Sequence, residues 1–192
     1  MSKKRLPNIA VCARMRSGKD AFYEIAEELG YHVKRVAYGD TMKRMFHECF
    51  PAIPYEPKPI GHYQTFGQSL RAIDPDVFVR PTIGDVLVHK AHLAQYGIDV
   101  PAFIFTDVRQ PNEFVACTER LNCITIRINA SVETRTDRMR AKGEAVRFEI
   151  LHAETERHLD NFPVNYTIDN NGTYTEYRQQ VKNLLEKLEV VN

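Results

Sequence analysis

Cysteine is scarce, and its four copies, Cys12, Cys49, Cys117 and Cys123, include no C-x-x-C pair. That excludes the common zinc and dithiol motifs, and Cys12 and Cys123 sit in apolar runs as reduced, buried thiols would. An excess of one charge sign is also missing: 26 Lys and Arg stand against 25 Asp and Glu, a net charge of +1. Such a balance gives no electrostatic footprint for nucleic acid or a membrane surface. The dense basic run Lys3-Lys4-Arg5 reads as a solvated tail. No stretch reaches the roughly eighteen consecutive apolar residues of a membrane span, and no signal-peptide core follows the basic start, so a cytosolic location is expected. His89 and His92 share a helix face, but no carboxylate or cysteine completes a metal-ligand pattern around them. Internal repeats and low-complexity segments are absent.

What the chain does have is 43% hydrophobic residues over 192 positions, enough for one sizeable core. Short apolar runs alternate with helical patterns. Strands are predicted at 8–12, 32–38, 102–106, 122–128 and 166–169, and helices follow each of them. Phe22, Ile25, Ala26 and Leu29 recur at i, i+3, i+4 and i+7, and Gly30 stops that helix. Further helices are expected at 41–50, 63–73, 111–121 and 132–142. Asp74-Pro75 offers a start for another helix, Pro81 a break, and Thr82 with Asp85 a capping box for its continuation. The stretch with Pro51, Pro54, Pro57 and Pro59 cannot hold a regular element. The last helix opens at Thr173 and carries Tyr177, Val181, Leu184, Leu185 and Leu188 on one face. This alternation implies right-handed crossovers and a five-stranded parallel sheet with helices on both faces, whose ligands bind at the carboxyl ends of the strands.

The loop after the first strand reads Ala13-Arg14-Met15-Arg16-Ser17-Gly18-Lys19-Asp20 and runs straight into a helix. The phosphate-loop pattern G-x-x-x-x-G-K-[ST] uses backbone N–H groups to surround phosphates and a lysine to reach the β and γ groups. Gly18 and Lys19 fit it, whereas Ala13 replaces the first glycine and Asp20 the hydroxyl residue. The context is the right one: an apolar strand, a loop, Gly-Lys, and a helix N-terminus with its positive dipole end facing the loop.

From these residues the chain resembles the phage-type deoxynucleoside monophosphate kinases. Arg16-Ser17-Gly18-Lys19-Asp20 is similar to that family's phosphate loop, although Ala21 stands where the family places Thr. Thr106-Asp107-Val108-Arg109-Gln110-Pro111-Asn112-Glu113 is similar to its D-V-R-x-P-N-E segment. The same holds for Ala72-Ile73-Asp74-Pro75-Asp76-Val77-Phe78-Val79, for His152-Ala153-Glu154-Thr155-Glu156 and Leu159-Asp160-Asn161-Phe162, and for Ile168-Asp169-Asn170-Asn171-Gly172-Thr173. The resemblance implies a three-layer P-loop NTPase fold over 1–192, with an acceptor-binding insertion at about 40–96 and a lid at about 131–155. It implies transfer of the γ-phosphoryl group of ATP to a (deoxy)nucleoside monophosphate, with Mg²⁺ required, no nucleic-acid or membrane partner, and a monomer or a homodimer.

Several residues acquire roles under that resemblance. Arg14, Met15, Arg16, Ser17, Gly18, Lys19 and Asp20 would surround the ATP phosphates, with Arg135 beside them and Asn170 and Asn171 lining the adenine. Lys19, Arg109 and Arg138 would carry the transfer. Asp20 and Asp107 would hold Mg²⁺ through water, and Asp40, Arg71 and Arg109 would bind the acceptor. Tyr55 and Tyr63, flanking the proline-rich stretch, could stack on a base. Plainer readings exist for each: a helix cap for Asp107 and Asp40, an ion pair with Glu113 for Arg109, and solvated helix faces for Arg71, Arg135 and Arg138. Animal-type phosphomevalonate kinases resemble the chain in several of the same segments. A kinase of another phosphorylated metabolite, such as phosphomevalonate or dephospho-coenzyme A, and a nucleotide-binding regulator therefore stay open.

Overall fold

The first strand is wholly apolar, Ile9–Ala13 (β1), and every residue in it is buried. A strand buried on both faces needs a neighbour on each edge and helices above and below. β1 has them at the centre of a five-stranded parallel sheet of order β2-β3-β1-β4-β5, seen in a computed structural model that describes residues 5–143, 146 and 158–189. The other strands are Val33–Val36 (β2), Ala102–Phe105 (β3), Ile124–Asn129 (β4) and Tyr166–Asp169 (β5). Ile9 lies opposite Ile104 of β3 and Ile124 of β4, and Ala13 opposite Ile128. The carboxyl ends of β1 and β4 therefore lie side by side, and so do those of β4 and β5, where Asn129 faces Asp169.

Two compact units make up the chain: Met1–Arg35 with Pro101–Asn192, and Val36–Val100. In the first unit helix Lys19–Glu28 (α1) buries Phe22, Ile25 and Ala26, the face its periodicity predicted. The C-terminal helix Tyr174–Leu188 (α7) buries Tyr177, Val181, Leu184 and Leu185 in the same core as β1, β4 and α1. It opens at Thr173 as expected, in a capping box: Thr173 Oγ1 accepts from the Glu176 backbone N–H at 3.2 Å, and the Glu176 carboxylate accepts from the Thr173 N–H at 2.7 Å. The helix expected at 111–121 is shorter. It runs Pro111–Val115 (α5) and widens into a π-helical turn over Ala116–Arg120. After β4, helix Val132–Ala141 (α6) is capped by Ser131, whose Oγ accepts from the Thr134 N–H at 3.1 Å. The His152–Glu156 motif and the later part of the expected lid, residues 144, 145 and 147–155, fall outside the described residues.

The second unit holds three helices, Tyr38–Cys49 (α2), Ile60–Ile73 (α3) and Val79–Gln95 (α4). Three expectations are corrected here. Residues 37 and 38 leave the strand early, so α2 opens at Tyr38 and Asp40 sits within its first turn rather than at its cap. There it complements the helix dipole and accepts from Lys43 Nζ at 2.9 Å. Asp74 closes α3 instead of opening a helix, and its carboxylate accepts the Asp76 N–H at 3.0 Å in an Asx turn. Pro81 does not break α4, because it lies in the first turn, where a missing N–H costs nothing. Thr82 is consequently inside the helix and buried, its hydroxyl donating to the Phe78 carbonyl at 2.7 Å and accepting from the Thr41 hydroxyl at 2.6 Å. Phe46 centres the unit's core, with T-shaped contacts to Tyr63 and Phe66 at ring separations of 5.0 and 5.4 Å.

Candidate active site

β1 ends at Ala13, and the chain must turn within five residues to start α1 at Lys19. The positive φ angles this turn needs fall on Arg16 (63°) and Gly18 (105°), while Ala13 stays in the strand. The substitution of the pattern's first glycine by Ala13 is thus harmless to the local backbone. Gly18 cannot be replaced in the same way, since a Cβ there would be both strained and driven into the Asn170 amide. The turn leads into the N-terminus of a ten-residue helix, whose first N–H groups have no partner within the helix.

Lys19 and Asp20 follow directly. Lys19 Nζ donates to both carboxylate oxygens of Asp20 at 2.9 Å, and Arg35 Nε lies 4.0 Å from Asp20. Arg14 makes a bidentate pair with Asp160 at 2.8 and 2.6 Å, which holds the Asp160 carboxyl below the usual carboxylate range. Met15 and Arg16 form the half-buried tip of the turn. Ser17 is buried, and its Oγ has no hydrogen-bond partner among the described residues. It borders a cavity of about 250 Å³ that is also lined by Arg14, Asn129, Ser131 and Asn171. An orphaned buried hydroxyl beside a polar cavity is a group prepared for a polar ligand.

The next strand in the sheet brings Asp107 and Arg109. Both follow β3, and the Val108 N–H donates to the Val11 carbonyl at 3.3 Å, which ties this loop to β1. Asp107 is not the cap of α5; that role belongs to Gln110 together with Glu113. The buried Glu113 carboxylate accepts the backbone N–H groups of Arg109 and Gln110 at 2.9 and 3.0 Å, so it fixes the loop from which Arg109 projects. Arg135 and Arg138 are not a solvated face of α6. Arg135 is buried, and Arg138 is turned toward the phosphate loop, where burial pushes its pKa down from the ordinary arginine value. Asn171 Oδ1 accepts the Ser131 N–H at 2.7 Å and joins the turn after β5 to the start of α6.

In the second unit Arg71 lies along Gly67 and places its guanidinium 4.9 Å above the Phe78 ring. Tyr63 is buried and hydrogen-bonded to His47 Nε2 at 2.6 Å, which removes it as a stacking surface. Tyr55 stacks on the His47 ring at 3.6 Å and is otherwise exposed. Among the described residues no group of three or more His, Cys, Asp or Glu is placed to hold a metal ion, and no helix is long and apolar enough to cross a membrane.

No family model and no curated protein matches the sequence. Solved structures do match. TT1252 from Thermus thermophilus aligns at a TM-score of 0.60 with 18% identity, covering 96% of this chain and 99% of its own. A gluconokinase from Sinorhizobium meliloti 1021 aligns at 0.57 with 16% identity, over 96% and 94% of the two chains. Dephospho-CoA kinase from Campylobacter jejuni aligns at 0.54 with 15% identity, over 94% and 96%. The chain shares its fold, a five-stranded parallel sheet with helices, with these structures, two of which are kinases. Tyr177 is the site residue that sequence reasoning missed. Its apolar spacing marked it as core, and only the structure reveals its hydroxyl against the phosphate loop, donating to the Gly18 carbonyl at 2.9 Å.

Proposed function

We propose that the protein is a phosphotransferase that moves the γ-phosphoryl group of ATP to a (deoxy)nucleoside monophosphate, giving ADP and the diphosphate. The observation that carries this reading is the tight turn of Arg16 to Lys19, between the end of the central strand and the N-terminus of α1. Asp107 and Arg109 stand beside it on the neighbouring strand's loop. Phosphoryl transfer needs alignment of donor and acceptor, and positive charge where the equatorial oxygens gather charge. The loop N–H groups and Lys19 would hold the donor's β and γ groups. Arg109, braced from behind by Glu113, would grip phosphate with its planar fork. The cavity beside Ser17 and Asn171 would receive the donor's nucleoside part, with Arg14 and Arg135 around it. Arg71 and Asp40 are the second unit's candidates for the acceptor.

Carboxylate oxygens are the donors a small hard cation accepts, so Asp107 and Asp20 fit Mg²⁺ brought in by the nucleotide and held through water. Bound there, Mg²⁺ would supply charge neutralisation on the phosphate oxygens. With this fold a gluconokinase and a dephospho-CoA kinase act on different acceptors, so the acceptor assignment rests on the sequence resemblance and the reaction class on the site.

A coupled assay of ATP consumption across deoxynucleoside monophosphates, phosphomevalonate and dephospho-coenzyme A tests both parts. Turnover with at least one deoxynucleoside monophosphate, dependent on Mg²⁺, is expected. Turnover only with one of the other two acceptors would retain the reaction and replace the substrate. Tight ATP binding without any turnover would make the protein a nucleotide-binding regulator.

A further inference from the structure

A loop can turn its N–H groups toward a phosphate only if its carbonyls point elsewhere, and carbonyls removed from water require donors of their own. Three consecutive carbonyls of the phosphate loop have such donors, each from a side chain on a different element. The Arg16 carbonyl accepts from Arg138 Nη1 of α6 at 3.1 Å. The Ser17 carbonyl accepts from Asn170 Nδ2, after β5, at 2.8 Å. The Gly18 carbonyl accepts from the Tyr177 hydroxyl of α7 at 2.9 Å, in addition to the Phe22 N–H of its own helix at 3.0 Å.

Two of the three donors also hold one another. Arg138 Nη2 donates to the Asn170 carbonyl at 2.9 Å and to Asn170 Oδ1 at 3.0 Å. With Oδ1 taken by a guanidinium, which can only donate, the amide must present its nitrogen to Ser17. Asn170 and Tyr177 are both buried. Burial pushes the Tyr177 phenol far above its ordinary pKa, so its hydroxyl remains a donor throughout the working pH range. The amide of Asn170 fills the space a side chain at residue 18 would need, which couples the loop's glycine to the same residue.

We propose that Tyr177, Asn170 and Arg138 are positioning residues that preset the phosphate loop, and that they govern donor affinity without touching the transferred group. This rests on the phosphate-loop reading of the site and deepens it. In this arrangement Arg138 acts on the loop's carbonyl side, instead of reaching the phosphates from a lid. A loop already held in its binding form forfeits little freedom when the anion arrives, and that saved ordering appears as affinity. The three residues come from the ends of α6, β5 and α7, so the C-terminal third of the chain sets the shape of a loop near its start.

The test is calorimetric titration of the full chain with ATP in Mg²⁺, together with the KM for donor and acceptor and the thermal midpoint. Tyr177→Phe removes one oxygen and keeps the ring that fills the core. The expected result is an ATP Kd and donor KM raised on the order of tenfold, since the Gly18 carbonyl loses the one of its two donors that ties the loop to α7. The acceptor KM and the thermal midpoint should stay close to wild type. Faster hydrogen exchange at the amides of residues 15–19 should accompany the change. Arg138→Lys, which can satisfy one carbonyl but not three acceptors, should weaken ATP in the same direction. It stands in for Tyr177→Phe should that variant fail to fold. Unchanged ATP affinity in the folded variant overturns the inference. So does a drop in thermal midpoint with no change in Kd, the signature of a purely structural role. Wild-type protein that binds no ATP would instead refute the phosphate-loop reading itself, before any variant is made.

Discussion

Lys19 and Arg109 carry positive charge from two adjacent strands' loops, but they differ in how replaceable they are. Lys19 is a point charge at the first position of α1, so Lys19→Ala should abolish nearly all turnover while leaving the far-UV circular dichroism spectrum and the thermal midpoint close to wild type. A folded Lys19→Ala protein with normal activity would remove the phosphate-loop assignment. Arg109 is a planar fork whose backbone N–H is anchored by Glu113. Arg109→Ala should lower kcat/KM on the order of a hundredfold, as losses of preorganised donors do. Arg109→Lys should be nearly as poor, because an ammonium cannot make the paired bonds. Full activity in the lysine variant would show that only the charge matters. At this scale the sequence marked Gly18, Lys19, Asp107 and Arg109 as candidates through their neighbours in the chain. It could not disclose that Arg138 and Tyr177 meet the same loop, since those contacts span 122 and 159 residues.

Helices report how far local signals reach. The last helix opens at Thr173 as read, because the partners of its capping box, Thr173 and Glu176, lie within one turn. Thr173→Ala should cost about 1 kcal/mol, measured as a lowered denaturant midpoint with an unchanged slope. A loss much smaller than this would mean that α7 is held by its buried face alone. The same local logic misread Thr82 with Asp85, because the competing signal was tertiary: Thr82 is recruited by Thr41 from another helix and becomes core. Asp40 was misplaced for a related reason. Tyr38, read as the end of the strand, opens a helix whose first turn buries it, and burial outweighed its β propensity. The π-helical turn after α5 left no mark in the sequence pattern.

For the molecule as a whole, the alternation of apolar runs was sufficient to foresee a five-stranded parallel sheet, because buried parallel strands are apolar throughout and need helical crossovers. The division at residues 36 and 100 was less visible, since no glycine-rich linker or charge shift marks it. A global property follows from three carboxylates at distant places. Arg80 bonds to Asp74, Arg14 to Asp160 and the Thr173 backbone to Glu176, and each interaction depresses its carboxyl's pKa. A depressed folded pKa contributes stability that is fully present above the unfolded value of about 4 and fades as pH falls through the lower folded value. Unfolding free energy with respect to these groups should therefore be flat above about pH 5 and decline below about pH 4. Arg14→Gln should reduce the steepness of that decline, and an acid titration of both proteins followed by circular dichroism would detect it. Identical acid limbs would show that the Arg14–Asp160 pair is screened to no effect.

The contact between Lys19 and Asp20 bears on how the protein responds to salt. The lysine brings its own counter-ion, with its side chain only 16% exposed and that of Asp20 56% exposed. An anion approaching Lys19 must displace that carboxylate, so the free energy gained is the difference between two screened attractions. Added electrolyte weakens both, and part of its effect cancels. ATP affinity should accordingly vary less steeply with ionic strength in the wild type than in Asp20→Asn, where the bare ammonium feels the whole of the screening. The aspartate that departs from the usual hydroxyl residue would then buffer the loop against the ionic strength around it.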